Sequence, residues 1–260
     1  LRIISLNTWG GRALHPLMEF FRRHGPSTDI FCLQEMHDTT AAYRQRQHPD
    51  EHVCPDLLGK MATVLPEHIG FFADWEDNPD RMSIAFFVRA DIPLEAVNEQ
   101  VVYVPQEPKE HGSAVISPRK LQYLTVLSHD ADKPVLTVVH YHGLWEGNSK
   151  DDTPERIEQS RTLYRFLEPI LSPVILCGDF NVHPGTESYR ILRERFDKEL
   201  VVDRGWPGTR TPLYRHFREK GFIPYADYCF VTGDVAVEDF RVMGDLASDH
   251  AALLLDVAHH

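Results

Sequence analysis

The 260-residue chain reads as an α/β protein in which two packed β-sheets carry helices on their outer faces. Three observations predict this. Short aliphatic runs alternate with segments of helical period from the first residues onward. Later in the chain, strand-like runs come in pairs between helices. No linker, repeat or composition break divides the chain, so one domain spanning 1–260 is expected, and a hydrophobic fraction of 42 % supplies its core.

Residues 2–6 alternate and are aliphatic, a strand that stops at Asn7-Thr8-Trp9-Gly10-Gly11, where the glycines mark a turn. Residues 12–24 follow as a helix with Leu14, Leu17, Met18 and Phe21 on one face. A second strand over 29–33 ends in Gln34-Glu35. Residues 38–47 are polar and expected helical, and 55–65 read as another helix. Strands at 70–74 and 82–88 flank the loop 76–80, residues 101–104 are extended, and 105–111 are charged and irregular. Residues 120–128 and 133–140 are expected to pair antiparallel, turning at Asp130-Ala131-Asp132. The loop 143–152 is polar and reads as mobile. Thr153 suits a helix N-cap and Pro154 the first turn of a helix reaching 168, whose apolar face holds Leu163, Phe166 and Leu167. A strand at 174–177 and a short helix at 186–195 follow. Residues 204–221, rich in Gly, Pro and Arg, are expected as a surface loop over a site. Runs 225–231 and 235–242 read as a hairpin through Thr232-Gly233-Asp234, and 251–257 as the last strand.

The strand at 174–177 organises the rest. Val174-Ile175-Leu176-Cys177 runs into Gly178-Asp179-Phe180-Asn181, so a buried strand ends in a carboxylate and an amide two residues apart. Strand alternation would set both on one face. Burying them there is unfavourable unless a metal, an anion or a chemical step compensates. Taken alone, Asn181 reads equally as a turn cap and Asp179 as an acceptor for backbone N–H groups. Polar residues recur, however, at the other strand ends: Asn7, Glu35, His142, Asp227 and Ser248-Asp249-His250. Co-aligned strands in two facing sheets would bring them to one rim. The carboxylates of Glu35 and Asp249 are hard oxygen ligands suited to Mg²⁺ or Mn²⁺, and His and Cys are too scattered for a softer metal.

Charge and cysteine content narrow the function classes. With 39 acidic against 27 basic residues the net charge is -12, which argues against a protein that coats nucleic acid non-specifically. It does not exclude a nuclease, because cations can bridge an acidic cleft to phosphate. Cys32, Cys54, Cys177 and Cys229 form no CxxC pair and are expected as buried free thiols. No apolar run approaches the roughly 20 residues of a membrane span. Leu1 already lies in a strand, consistent with a leader removed ahead of it, and His259-His260 resemble a tag remnant. Composition leaves the compartment open, with the cytoplasm slightly favoured; a monomer is assumed.

Six stretches occur in order: Leu6-Asn7-Thr8-Trp9, Leu33-Gln34-Glu35, His140-Tyr141-His142-Gly143, Gly178-Asp179-Phe180-Asn181, Ala226-Asp227-Tyr228 and Ser248-Asp249-His250. As a set they make the chain resemble, essentially from end to end, the endonuclease/exonuclease/phosphatase superfamily with its DNase I-like fold. The resemblance implies a four-layer α/β/β/α sandwich of two mixed sheets, and hydrolysis of phosphate esters with Mg²⁺ or Mn²⁺. It implies Glu35 as the main metal ligand, Asn7 beside it, and Asp249 contributing directly or through water. Asp179 would orient or deprotonate the attacking water, and Asn181 would hold a non-bridging phosphate oxygen. His142 would steady the phosphate or leaving group, and Asp227 would fix the His250 imidazole that meets the phosphate. Trp9 stands where some members carry an aspartate, which favours one metal over two.

His142 is preferred to His140, which shares its face if the strand continues and could support it or contact substrate. Lys150 follows the His142 strand end, and Arg204, Arg210, Arg215 and Arg218 lie in the long loop with Tyr214 and His216 between them. Such a loop could clamp a second phosphate or the face of a base, or simply be solvated. Of Trp9, Trp75, Trp145 and Trp206, Trp9 and Trp145 fall nearest the expected rim and could stack on an organic group. Superfamily members act on DNA, RNA, phosphoinositides, sphingomyelin and protein–DNA phosphotyrosyl links. The compact acidic chain favours a small phosphodiester or phosphomonoester: a nucleotide, sugar phosphate or lipid head group. A nuclease is the alternative, and a non-catalytic binding module on the same scaffold a further one.

Overall fold

The computed structural model describes residues 1–38, 52–73, 82–105, 110–111, 114–115, 118–128, 133–147 and 149–258. In chain order the elements are β1 (Arg2–Asn7), α1 (Leu14–His24), β2 (Ile30–His37), α2 (Leu57–Val64), β3 (His68–Phe72), β4 (Met82–Arg89), β5 (Leu94–Tyr103), β6 (Glu110–His111), β7 (Ala114–Val115), β8 (Arg119–Leu127) and β9 (Pro134–His142). They continue with α3 (Pro154–Leu167), β10 (Val174–Asp179), α4 (Glu187–Arg193), β11 (Lys198–Glu199), β12 (Asp227–Val231), β13 (Val237–Val242) and β14 (Leu253–Val257). One six-stranded sheet has the order β13-β14-β1-β2-β4-β3 and the other β11-β12-β10-β9-β8-β5, while β6 and β7 pair with each other. Both large sheets are mixed: β1 runs parallel to β2 but antiparallel to β14, and β10 parallel to β9 but antiparallel to β12.

Period-2 alternation builds the layers. On β1 and β2, Ile4, Leu6, Phe31 and Leu33 pack under α1 and α2 with Phe20, Phe21, Leu57 and Met61. Ile3, Ile30 and Cys32, one residue out of phase, join the larger core shared with the second sheet. There the Cys32 thiol meets that of Cys177 from β10. Leu163, Leu167, Tyr189 and Leu192 of α3 and α4 cover the far side, with the Tyr189 ring 5.5 Å from that of Phe230 on β12. The layers are therefore α/β/β/α, as expected. The Thr153 side chain accepts the Arg156 N–H at 3.2 Å, the expected N-cap, and Thr186 does the same for Tyr189 at 3.2 Å. All four cysteines are buried and free. No described helix is long and apolar enough to cross a membrane.

Four expectations need correction. Runs 225–231 and 235–242 are not a hairpin. β12 pairs with β10 and β11 in one sheet, and β13 with β14 in the other. Every residue of β12 is buried, as a strand covered on both faces must be, whereas β13 is an edge strand with exposed positions. The second strand runs on to His37 through a register shift between Leu33 and Met36. The stretch 101–104 is the end of a longer strand beginning at Leu94. The loop after β9, expected to be mobile, is tied to α3 at its described residues: the fully buried Arg156 donates to the carbonyls of Leu144 (3.3 Å), Asp151 (2.6 Å) and Ser149 (3.0 Å). The expected helix at 38–47, the loop at 76–80 with Trp75, the turn at 130–132, much of 105–111 and the terminal histidines lie outside the described residues.

Candidate active site

Strand register carries the polar residues to one rim. Asn7 lies opposite Gln34 in the first sheet, and Asp179 lies between His142 and Asp227 in the second. Asn7 joins the sheets: its Nδ2 donates to Glu35 Oε1 at 3.0 Å and to Asp179 Oδ2 at 2.9 Å, while its Oδ1 accepts the Trp9 N–H at 2.9 Å.

Trp9, Glu35 and Asn181 are the non-glycine residues with positive φ among those described, at 53°, 55° and 56°. All three line one cleft. Such a conformation costs on the order of 1–3 kcal/mol per residue and persists only where surrounding contacts enforce it. At Glu35 the enforcing feature is the bulge at the Leu33/Met36 register shift, which turns the carboxylate toward Asn7. At Asn181 it is a set of three bonds. Its N–H donates to Asp179 Oδ1 at 3.0 Å, its Nδ2 to the Gly143 carbonyl at 3.2 Å, and its Oδ1 accepts from Lys150 Nζ. Asn181 thus lies beyond the strand end at Asp179 rather than on the strand face, and it is the Asp179 carboxylate that accepts the local backbone N–H, while the Asn181 side chain bonds groups distant in sequence. Gly178, at φ 140°, permits the approach, since a Cβ there would fall 2.1 Å from the Tyr141 carbonyl oxygen.

Two buried histidines flank Asp179 with opposite electrostatics. His142 Nε2 lies 3.6 Å from Asp179 Oδ2 and 4.0 Å from Glu35 Oε1. Burial dominates there and pushes His142 down to about 3, so the ring is neutral at pH 7. His250 Nδ1 lies 2.9 Å from both oxygens of Asp227, and its Nε2 lies 3.6 Å from Asp179 Oδ2. Burial and Arg210 lower its pKa, but Asp227, Asp179 and Asp249 together outweigh them and raise it above the ordinary value. Burial would raise Asp179, yet His250, His142, Lys150 and Arg210 hold it well below the usual carboxylate range. Burial pushes Lys150 down to about 8, against the pull of Asp179.

The donor set suits a small divalent cation. Glu35, His142 and Asp179 offer atoms within 4.8 Å of one another, as do Asp179, Asp227 and His250. Two hard carboxylates beside a neutral imidazole leave a concentration of negative charge of the kind Mg²⁺ or Mn²⁺ neutralises. Two expected ligands are arranged otherwise. Asn7 turns its amide nitrogen to the carboxylates, so it serves them as a donor. Asp249 faces Arg210, with Nη1 3.1 Å from Oδ2, and Ser248 Oγ lies 3.4 Å from Oδ1.

The cleft above these groups has a volume of about 330 Å³ and is lined by Trp9, Trp145, Lys150 and Arg215, all expected near substrate, with Arg12, Arg210 and Tyr214. Here cations crowd a chain that is acidic overall. His140 does not reach the cleft. It shares the His142 face two residues deeper, fully buried between the sheets, with Nε2 3.1 Å from Gln122 Oε1, Nδ1 3.4 Å from Gln34 Nε2 and its ring 4.2 Å from that of Phe86. Substrate contact by His140 is therefore ruled out in this arrangement. Arg210 was not separable in sequence from the other arginines of its loop. Its backbone bridges to His250, its guanidinium lies 4.4 Å from the Tyr214 ring centroid, and its side chain is nearly buried on Asp249. The inner end of that loop is thus fixed structure, not a solvated surface.

A sequence model of the Endonuclease/Exonuclease/phosphatase family matches residues 4–250. No curated protein matches this chain in sequence. Among solved structures, the mannosyl-6-phosphatase of Bacteroides thetaiotaomicron superposes with a TM-score of 0.68 at 18 % identity, covering 100 % of both chains. The human Nocturnin catalytic domain with bound sulfate gives 0.62 at 17 %, covering 99 % of this chain and 94 % of that one. A humanized D. rerio TDP2 gives 0.68 at 14 %, covering 100 % and 99 %. At these identities the superpositions establish the shared fold.

Proposed function

The chain belongs to the endonuclease/exonuclease/phosphatase family, whose members are phosphoric ester hydrolases, and from that premise we propose that it is a divalent-metal-dependent hydrolase of small phosphodiesters or phosphomonoesters, working as one catalytic domain. The observation that carries this reading is the junction of Glu35 and Asp179 on one Asn7 amide, with the Asp227–His250 pair against the same Asp179.

Glu35 and Asp179 would hold a single Mg²⁺ or Mn²⁺, with Trp9 at the position where a second carboxylate would be needed for two. That ion would supply positive charge to the phosphoryl oxygens as a Lewis acid. Asp179, held well below the ordinary carboxylate range, is a weak proton acceptor, so its part is to orient water toward phosphorus. His250, favoured in its charged form, donates from Nε2 to a phosphoryl oxygen, with Asp227 fixing the ring through Nδ1. Neutral His142 and the Asn181 amide add donors around the developing charge.

Trp9 and Trp145 offer faces for the organic part of the ester, and Arg215 adds charge on the walls. A cleft of about 330 Å³ is the size of a small-molecule site. The name of the Bacteroides mannosyl-6-phosphatase points the same way. Four basic residues beside three aromatic ones favour the nuclease as second reading, since a nucleotide strand would use both. Purified protein assayed with nucleotides, sugar phosphates, head-group esters, RNA and DNA decides between them. Turnover of a small ester with a shallow salt dependence supports the proposal. Turnover confined to polymer, falling steeply with salt, replaces it with the nuclease.

A further inference from the structure

The two ends of an asparagine amide are nearly equal in size, so neighbours decide which way it points. At Asn181 both neighbours are one-sided. The Gly143 carbonyl can only accept, and it lies 3.2 Å from Nδ2. The Lys150 ammonium can only donate, and it meets Oδ1. Lys150 is 5 % exposed, and among the described residues its ammonium has Asn181 as hydrogen-bond partner with no carboxylate at ion-pair distance. A buried ammonium on a neutral amide is an unfavourable arrangement for stability alone. The loop that delivers it is nevertheless held rigidly. Arg156 ties three of its carbonyls to α3, Gln159 Oε1 accepts the Leu144 N–H at 3.0 Å, and the Lys150 carbonyl accepts the His183 N–H at 3.2 Å.

We infer that Lys150 is a positioning residue, which locks the Asn181 amide so that its second N–H points into the cleft as the donor to the substrate's phosphoryl oxygen. A cation on the oxygen end also polarises the amide and strengthens that N–H as a donor. Without Lys150 only the Gly143 carbonyl orients the group. The geometry stands on the contacts at Asn181; its catalytic consequence rests on the hydrolase reading above.

The test has two readouts. In protein labelled with ¹⁵N-asparagine, the side-chain amide signals of Asn181 are assigned by their loss in Asn181→Asp. The account expects a resolved, exchange-protected pair in the parent and, in Lys150→Met, shifted signals with hydrogen exchange at least about tenfold faster. Unchanged signals and protection would overturn it, whether or not any ester is turned over. With bis(p-nitrophenyl) phosphate and p-nitrophenyl phosphate in Mg²⁺, Lys150→Met should lower kcat by about 10- to 100-fold with KM within about threefold. Lys150→Met combined with Asn181→Ala should be no slower than Asn181→Ala alone. A multiplicative loss would show Lys150 acting independently of Asn181 and overturn the inference. If the parent cleaves neither ester, the hydrolase reading is what fails, and the amide signals still decide the positioning role. Should Lys150→Met not fold, Lys150→Gln, which drops the charge and adds an acceptor, takes its place in both readouts.

Discussion

The Asn7 side chain, at the end of a strand in one sheet, donates to Asp179, at the end of a strand in the other, across 2.9 Å. The same nitrogen holds Glu35 at 3.0 Å. One amide therefore keeps two like charges, the buried Asp179 and the half-buried Glu35, together at the seam of the sandwich. Replacing Asn7 with Asp removes the donor and adds a third carboxylate. The thermal midpoint of Asn7→Asp should fall in EDTA, and saturating Mg²⁺ should recover most of the loss. A deficit that Mg²⁺ leaves unchanged would mean that the carboxylates do not share a cation.

The Asp227–His250 pair sets a pH dependence. The folded pKa of His250 is raised above the ordinary 6.5, so the pair's stabilising contribution is fully present below that value and is lost as pH rises through the folded value. If the imidazolium meets the phosphate, activity declines over the same alkaline range. In Asp227→Asn the largest raising influence is gone. The decline should move to lower pH, and kcat at neutral pH should drop by about 10²-fold. An unshifted pH profile would remove His250 from the mechanism.

His140 gives the opposite slope. Burial pushes it down to about 3, so the folded state refuses a proton that the unfolded chain accepts below about 6.5. Stability should therefore fall as pH drops from 6.5 toward 3, with this one ring contributing a slope of about 1.4 kcal/mol per pH unit. Urea titrations of parent and His140→Gln across that range should show a shallower slope in the variant. Equal slopes would contradict a neutral, buried His140.

Alternation and capping made much of this structure legible in the sequence. Ile3 against Ile4 and Cys32 against Phe31 separate the inner from the outer face of one sheet, and Thr153 starts its helix where its chemistry says it should. The rim was legible because a polar residue stands at or close to the rim end of each strand that reaches it, as Asn7, His142, Asp179 and Asp227 do. What stayed hidden depends on long-range packing. Thr232-Gly233-Asp234 has hairpin chemistry, but whether the next strand pairs back or crosses to the other sheet depends on neighbours that β12 already has on both sides, β10 and β11. His140 and His142 differ in depth, not in phase, so alternation could not separate them. Arg210 acquires its place from a backbone bridge to His250, forty residues on, which no local pattern records.

Among the described residues Arg156 is the largest fully buried side chain, and it anchors the loop that carries Trp145 and Lys150. Arg156→Met should destabilise the fold by about 2–4 kcal/mol, since three carbonyls lose a charged donor and Glu146, 3.6 Å away, loses its cationic partner and keeps the Thr153 hydroxyl. Limited proteolysis should then cut first within residues 143–152. Cleavage elsewhere, with that loop intact, would show that the anchor lies in other contacts.

Asp179 is the residue on which the account turns, and Asp179→Asn changes its charge with almost no change in shape. Turnover of a phosphate ester by parent and variant, each with Mg²⁺, Mn²⁺ or EDTA, tests it most directly. The account predicts that the parent requires the metal and that the folded variant loses activity by about 10²-fold or more. Turnover indifferent to EDTA, or a variant as active as the parent, would contradict it.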